Sequence, residues 1–250
     1  MTDVLLRDGF SRNGTRHGDV SYITLAVPDA AAARRFYGQV LGWTFGTGQL
    51  DAEGNQVDGV IPQVGLWPGP AWREGVSSGA FLSWRVDDIA AAVETLRAGG
   101  GTATGPVARP YGREAECTDG QGLCFWLHEL PSSGEAAGPN DRREGDISYL
   151  VLRVADLERG RRLFSSVLGW SFSSGNVGVQ VQGPVPMTGM SEGEPGVVPC
   201  YLVAHMPAAI ERVAAAGGRP GQIEHSSYGL ESLCSDDQGA QFYLHQLSTP

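Results

Sequence analysis

The apolar and polar residues of this chain alternate first with the period of a strand and then with that of a helix. Alternation along residues 21–27 predicts a half-buried strand. Asp29 stands where a helix N-cap is expected, and Gly42 stands where that helix should end. Between them, the apolar positions have the spacing of one helix face: Ala33, Phe36, Tyr37, Val40 and Leu41. We therefore predict a strand followed by an amphipathic helix.

The same pattern returns in the second half of the chain. The segment GDVSYITLAVPDA, which begins at Gly18, matches GDISYLVLRVADL, which begins at Gly145, with an offset of 127 residues (145 − 18). The offset falls to 117 (228 − 111) between the segments that begin at Tyr111 and Tyr228. The order of the matches is kept while the offset shrinks, which is typical of loop deletions after a duplication.

The duplication predicts two domains joined by a linker. Residues 131–145 are rich in Pro, Gly, Ser and charged residues and have no apolar periodicity, as expected of a linker. The residues before Gly18 have no counterpart in the second copy. We expect a tail at 1–17, a first domain at 18–131, a linker at 132–144 and a second domain at 145–250.

Each copy contains the order strand, helix, strand, strand, strand twice. In the second half of the first copy, a strand over 80–86 precedes a helix that Asp87 or Asp88 would cap, and glycines at 99–101 would end it. The predicted fold class is therefore α+β, with four βαβββ modules in two domains. One helix per module covers only one face of a sheet, so we expect open, cup-shaped, mostly antiparallel sheets.

Composition and charge narrow the function classes. The net charge is −10 and the pI is about 4.9, which argues against binding to nucleic acid. No apolar run approaches the roughly 20 residues that span a bilayer, and the N-terminus lacks a signal-peptide pattern. We predict a cytoplasmic protein that binds a small molecule and has neither a nucleic-acid nor a membrane partner.

Several motifs together resemble the vicinal oxygen chelate superfamily, which includes glyoxalases, extradiol dioxygenases and bleomycin-resistance proteins. They are the turn into the first helix at Asp29, the V-L-G-W sequences that end at Trp43 and Trp170, and a D-x-x-G sequence before each last strand. The V-x-G-x-x-P sequences at Val57 and Val181 are similar to those of a two-domain actinobacterial branch. The resemblance implies two glyoxalase-like domains. It says little about chemistry.

The resemblance also implies where metal ligands would lie in metal-dependent members, and this sequence departs from that pattern. A His or Gln is expected on the first strand of each domain, a His on the strand after mid-domain and a Glu on the last strand. The residues at these places are Tyr22, Tyr149, Phe81, Val198, Trp126 and Tyr243. Phe, Val and Trp cannot ligate a divalent metal, and Tyr is a poor substitute. We therefore predict no metal at this site and no cofactor.

Strand parity assigns side chains to the concave face of each cup. Aromatic walls with a few polar groups suit an organic ligand. The candidate ligand-binding residues are Tyr22, Thr24, Trp67, Phe81, Ser83, Arg85, Trp126, His128, Tyr149, Arg153, Cys200, Tyr243 and His245. The candidates for proton transfer are His128, Tyr22, His245 and Tyr149, because His titrates near neutral pH. Alternatively, the two histidines are half-exposed residues copied by the duplication.

Four hypotheses for function follow. The first is a metal-independent binding protein of the bleomycin-resistance type for an aromatic or cationic metabolite or antibiotic. The second is a metal-free lyase, isomerase or cyclase of secondary metabolism, so the sequence leaves open whether the protein is an enzyme. The third is a glyoxalase or dioxygenase with relocated metal ligands, and the fourth is a purely structural role. Two linked copies predict a monomer with an internal pseudo-twofold axis or a weak homodimer.

Overall fold

The computed structural model describes residues 16–47, 54–68, 79–130, 143–175, 177–226 and 228–248. Most of the predicted tail and linker lies outside these residues. The first copy contains β1 (Val20–Ala26), α1 (Ala30–Leu41), β2 (Phe45–Gly46), β3 (Gln56–Val57), β4 (Val64–Trp67), β5 (Gly79–Arg85), α2 (Ile89–Ala98), β6 (Thr102–Ala103), β7 (Val107–Arg109), β8 (Gly112–Thr118) and β9 (Cys124–Glu129).

The second copy repeats this order. It contains β10 (Ile147–Val154), α3 (Leu157–Leu168), β11 (Ser171–Ser174), β12 (Val179–Gln182), β13 (Thr188–Glu192), β14 (Gly196–Leu202), α4 (Met206–Ala215), β15 (Glu224–Ser226), β16 (Gly229–Ser235) and β17 (Gln241–Leu247). Both β6 and β7 pair with β8, so together they take the place of one interrupted strand. The predicted α+β fold of four βαβββ modules is confirmed.

The helix boundaries follow from local chemistry, as the sequence predicts. The Asp29 carboxylate accepts a hydrogen bond from the Ala32 amide (2.9 Å), and α1 ends at Gly42, whose φ of 71° suits glycine. In the second copy, Asp156 caps α3 in the same way, and Gly169 ends it at φ 68°. Asp88, one of the two predicted caps, begins α2. The repeated helices therefore share their caps as well as their apolar faces.

The sheet is open and mixed. In the first copy, β1 pairs antiparallel with β5 and parallel with β4, while β5 pairs parallel with β9. The strands β10, β13, β14 and β17 repeat these pairings in the second copy. The other described pairings are antiparallel. The first strand of each module pair thus lies at the middle of its cup.

A β-bulge near the start of β1 changes which side chains face the cup. Val20 pairs with Trp84 and Tyr22 pairs with Ser83, so one extra residue, Ser21, lies between the two pairs. Strict alternation places Ser21 on the helix side, whereas the bulge turns it to the same face as Tyr22. The second copy repeats the bulge at Ser148. This irregularity brings a serine into each cup that the alternation pattern alone assigns to the core.

The helices of the two copies form one shared apolar layer. The helix α1 packs against α4, and α2 packs against α3. Aromatic rings of the two copies contact each other in this layer. Tyr37 packs edge-on against Tyr201, with 6.2 Å between ring centroids, and Phe164 packs edge-on against Trp84 at 5.3 Å. Trp84 is fully buried in this layer. Each cup therefore has its helix side buried against the other copy.

Two tryptophans fix the copies to each other with matching hydrogen bonds. The Trp43 indole donates to the Gly145 carbonyl (3.0 Å), and the Trp170 indole donates to the Gly18 carbonyl (2.9 Å). Gly18 and Gly145 are the equivalent first residues of the two repeats. The two hydrogen bonds are therefore related by the pseudo-twofold axis between the copies. Within the described residues, no helix is long and apolar enough to cross a membrane.

Candidate functional site

A cavity of about 310 Å³ opens on the concave face of the first copy. Phe81, Cys124 and Trp126 form its aromatic and thiol wall, and the Glu116 carboxylate lies at its side. Its remaining lining is mostly small: Thr102, Ala103, Thr104, Cys117, Thr118 and Phe125. Phe81 and Trp126 were both predicted to bind a ligand, and the fold brings them together because β5 and β9 are adjacent strands.

The other candidate ligand-binding residues of the first copy fall into two groups, one accessible and one buried. Tyr22 is partly accessible, and Trp67 is 43% exposed on the strand that pairs with β1. Four predicted ligand-binding residues are instead buried: Thr24, Ser83, Arg85 and His128. Strand parity places these four on the concave face, and each of them is less than 9% exposed. They form the base of the cup and are not exposed on its surface.

His128 differs most from its prediction. Its Nδ1 atom lies 3.1 Å from the Ser21 hydroxyl, and its Nε2 atom lies 3.9 Å from Glu114 Oε2. The side chain is 3% exposed, so the idea of a half-exposed histidine is wrong. Burial lowers the pKa of His128 to about 4, although the Glu114 carboxylate opposes that shift. His128 is therefore neutral at pH 7, and the prediction that it titrates near neutral pH is also wrong.

Glu114 is a central residue of the first cup that the sequence reasoning missed. Its carboxylate accepts a hydrogen bond from Arg109 Nε (2.6 Å) and a short one from the Tyr111 hydroxyl. Burial and this hydrogen bond raise the pKa of Tyr111 above its usual range. The missed signal is the Y-G-x-E sequence, which occurs in both repeats and ends at Glu114 and Glu231.

Tyr22 is held by a second group of residues that was missed. Its hydroxyl donates to Gln56 Oε1 (2.9 Å), and Gln56 in turn donates to the Val64 carbonyl. The ring lies over Gly65, where an added Cβ would come within 1.9 Å of the hydroxyl. The same arrangement recurs around Tyr149, whose hydroxyl donates to Gln180 (2.8 Å). A glutamine at equivalent places in both repeats was the available signal.

The second cup has equivalent strands and several equivalent side chains, but it has fewer polar groups at its base. Tyr149, Arg153 and Tyr243 are partly accessible, whereas Cys200 and His245 are buried, so the ligand-binding prediction for the last two is not supported. Burial raises the pKa of Tyr149 to about 12. His245 repeats the contact of His128, with Nδ1 3.1 Å from a serine hydroxyl.

The residues at the expected metal positions do not fit a divalent metal. Phe81 and Trp126 have no donor atom for a metal, and the Tyr22 hydroxyl donates its proton to Gln56. In the part of the chain that the structure describes, no three His, Cys, Asp or Glu side chains are grouped so that they could hold a metal ion.

Three buried polar atoms at the base of the first cup have no hydrogen-bond partner among the described residues: Gln63 Oε1, Arg85 Nε and His128 Nε2. Arg85 is 8% exposed, and its guanidinium lies 3.6 Å from the Asp87 carboxylate. Buried polar atoms are normally hydrogen-bonded, so this base has unused capacity for a polar group or a water molecule. At the matching places the second copy has Met187, Leu202 and His245.

Residues 22–128 match the family model of the glyoxalase-like domain. The first half of the chain is a glyoxalase-like domain. This match, with the fold of both halves, confirms the resemblance to the vicinal oxygen chelate superfamily. No curated protein matches the chain in sequence.

Solved structures with this fold cover both copies. A Mn(II)-bound glyoxalase from Novosphingobium aromaticivorans is similar with a TM-score of 0.65 and 19% identity, over 92% of this chain and 82% of that one. A catechol 2,3-dioxygenase has a TM-score of 0.62 and 16% identity, over 94% and 90% of the two chains. A mutant of 4-hydroxymandelate synthase from Streptomyces coelicolor has a TM-score of 0.59 and 12% identity, covering 93% of each chain. At such identities the similarity shows the fold alone.

Proposed function

We propose that the first cup binds a small aromatic molecule with a positively charged group and does so without metal chemistry. The observation that carries this proposal is the cavity of about 310 Å³ beside Phe81 and Trp126, with Glu116 in its wall. Its size suits a small organic ligand. Ring faces stack on a flat ligand and attract a cation, and the carboxylate adds a direct charge contact. None of the described lining residues is Lys or Arg.

Binding is favoured over catalysis by the state of the candidate acid–base residues. A metal-free lyase, isomerase or cyclase needs a proton donor or acceptor in contact with its substrate. His128 is buried, and its pKa of about 4 leaves it at pH 7 as a neutral, weak base with no imidazolium proton to donate. The Tyr22 hydroxyl is already engaged with Gln56. The bleomycin-resistance type of function, which is binding alone, needs neither residue to titrate.

Matched probes test the proposal. We expect 1-naphthylmethylamine to bind more tightly than 1-naphthylmethanol in isothermal calorimetry, because only the amine carries a charge for Glu116. Trp126→Ala should weaken both compounds about tenfold, and Glu116→Gln should weaken only the amine by about threefold to tenfold. Tyr243→Ala is the matched control, since Tyr243 is the counterpart of Trp126 in the second cup. Absence of binding by both compounds at millimolar concentration would contradict the proposal.

We also propose that the protein acts as a cytoplasmic monomer. The two copies bury their helix faces against each other through α1 with α4 and α2 with α3, so one chain supplies its own twofold partner. The acidic net charge of −10 supports a soluble protein with no nucleic-acid partner. Light scattering at micromolar concentration should give the mass of one chain; the mass of two would favour the weak homodimer.

A further inference from the structure

The two cups meet at a seam between β5 and β14. The strand β9 pairs with Ser83 to Arg85, the carboxyl half of β5, and this leaves the amino half of β5 open along the same edge. There Ala80 pairs with Val197 of β14. The strand β17 pairs with the carboxyl half of β14 in the same way. The seam therefore brings the first residues of four strands to one place.

A second cavity of about 290 Å³ lies on the seam. Both copies line it with small or apolar residues, among them Gly79, Ala80, Gly122, Gly196, Val197 and Gly239. Small residues keep side chains from filling the space where the strands converge. Arg153 and Gln241 of the second copy provide polar groups in its wall. The fold thus joins Arg153 to the residues of the first copy, although the sequence assigns it to a separate cup.

The seam cavity adjoins the cavity of the first cup, because Phe81 and Cys124 line both. We propose that the two cavities form one groove, in which the aromatic ligand of the first cup extends across the seam and places an acidic group, such as a carboxylate, at Arg153. This proposal rests on the proposed function and adds the second chemical group of the ligand. The groove is built from both copies, so neither domain would form the complete site alone.

Arg153 is suited to hold a carboxylate. Its guanidinium donates one hydrogen bond to Gln241 Oε1 (3.1 Å), which orients the side chain and uses one of its five donors. Among the described residues that line the seam cavity it is the only Lys or Arg, and Glu194, an exposed residue, is the only Asp or Glu. A carboxylate can accept two parallel hydrogen bonds from the guanidinium fork.

The spacing sets the length of the ligand. Trp126 lies beside Ser83, and the seam pair lies at Ala80, three residues earlier on β5, which is a distance of roughly 10 Å along a strand. Arg153 pairs with Gly196, next to Val197. A ligand that contacts Trp126 with its ring therefore needs a chain of several bonds before its acidic group reaches Arg153. A short aromatic acid cannot make both contacts.

The test compares 8-(2-naphthyl)octanoic acid and 2-naphthylacetic acid, each with its neutral amide, by calorimetry on the whole protein. We expect the long acid to bind about tenfold more tightly than its amide, and the short acid to show no such advantage. Arg153→Gln should remove the advantage of the long acid, while Arg153→Lys should keep part of it. Arg161→Gln is the control, because Arg161 lies on α3, pairs with Glu158 and lines neither cavity.

The outcomes separate this inference from the proposed function. If the long acid and its amide bind equally, and Trp126→Ala weakens both, the aromatic cup is real but the extension to Arg153 is wrong. If an advantage of the long acid survives Arg153→Gln, another group holds the acid and the assignment of Arg153 is overturned. If the acids and amides do not bind but 1-naphthylmethylamine does, the extension is wrong and the proposed function stands; if 1-naphthylmethylamine and 1-naphthylmethanol also fail to bind, the proposed function fails as well.

Discussion

The two cups arose from one repeated sequence and now differ at their bases. In the first cup, Arg85 and Gln63 are buried polar residues, and Leu202 and Met187 occupy the matching places in the second. Glu114 is buried under Arg109, whereas Glu231 is half-buried and has Ser226 where the first copy has the arginine. Buried polar groups cost stability unless they are satisfied. A cup that keeps buried polar groups such as Arg85 and Gln63 is therefore more consistent with selection for binding, and the loss of both from the second cup with selection for stability.

The largest expected effect concerns the pH dependence of stability. The pKa of His128 is about 4 in the folded protein and about 6.5 in an unfolded chain. The unfolded state therefore takes up more protons between these values. Stability from this group is complete above pH 6.5 and falls as the pH drops towards 4, by roughly 2–4 kcal/mol.

His128→Gln removes the titrating group and keeps a polar side chain at the base of the cup. In urea denaturation at pH 7.0 and 4.5, the variant should lose less stability on acidification than the wild type, by roughly 2 kcal/mol or more. His245→Gln is the matched change in the second cup. If the pH dependence of His128→Gln equals that of the wild type, His128 is not a neutral buried histidine.

Removing the buried carboxylate should have the next largest effect. Glu114→Ala leaves Arg109 and Tyr111 without their acceptor and should lower the free energy of unfolding by about 2 kcal/mol. Glu231→Ala in the second cup breaks only a 3.3 Å contact with Tyr228, which is 44% exposed, and should cost less than about 1 kcal/mol. Urea denaturation of both variants measures the difference. Equal losses would show that the two acidic residues play the same structural part.

These residues also show how far the sequence could predict the structure. Periodicity and caps were sufficient for the helices, because Asp29 and Gly42 act locally. The bulge at Ser21 was not predictable from alternation, since it depends on pairing with β5. Glu114 was missed because a charged residue on a strand is usually exposed, and only the fold brings Arg109, Tyr111 and His128 around it. Contacts across the seam depend on how the two copies dock, which no single repeat encodes.

A smaller change in stability is expected when Arg85 of the first cup is replaced by the residue at the matching place in the second cup. Arg85→Leu replaces a buried cation, whose contact with Asp87 is 3.6 Å, by the residue found at Leu202. Replacing a buried charge by an apolar side chain is often neutral or stabilising, so we expect a change in the free energy of unfolding between about 0 and +1 kcal/mol. If the polar base of the cup contacts the ligand, the Kd of this variant for 1-naphthylmethylamine should also differ from that of the wild type. A loss of more than about 2 kcal/mol would mean that Arg85 supports the fold.

The smallest loss of stability is expected from a change at Arg109. This change tests whether the ion pair with Arg109 is needed to keep the Glu114 carboxylate buried. Arg109→Ser introduces the residue of the second copy at this place. The Arg109 side chain is 44% exposed, so water screens its ion pair, and we expect a loss of less than about 1 kcal/mol. The Tyr111 hydrogen bond and the surrounding strands would then hold the carboxylate without its arginine. If Arg109→Ser costs as much as Glu114→Ala in the same urea measurement, the ion pair itself stabilises the first cup, and its loss in the second copy accounts for the greater exposure of Glu231.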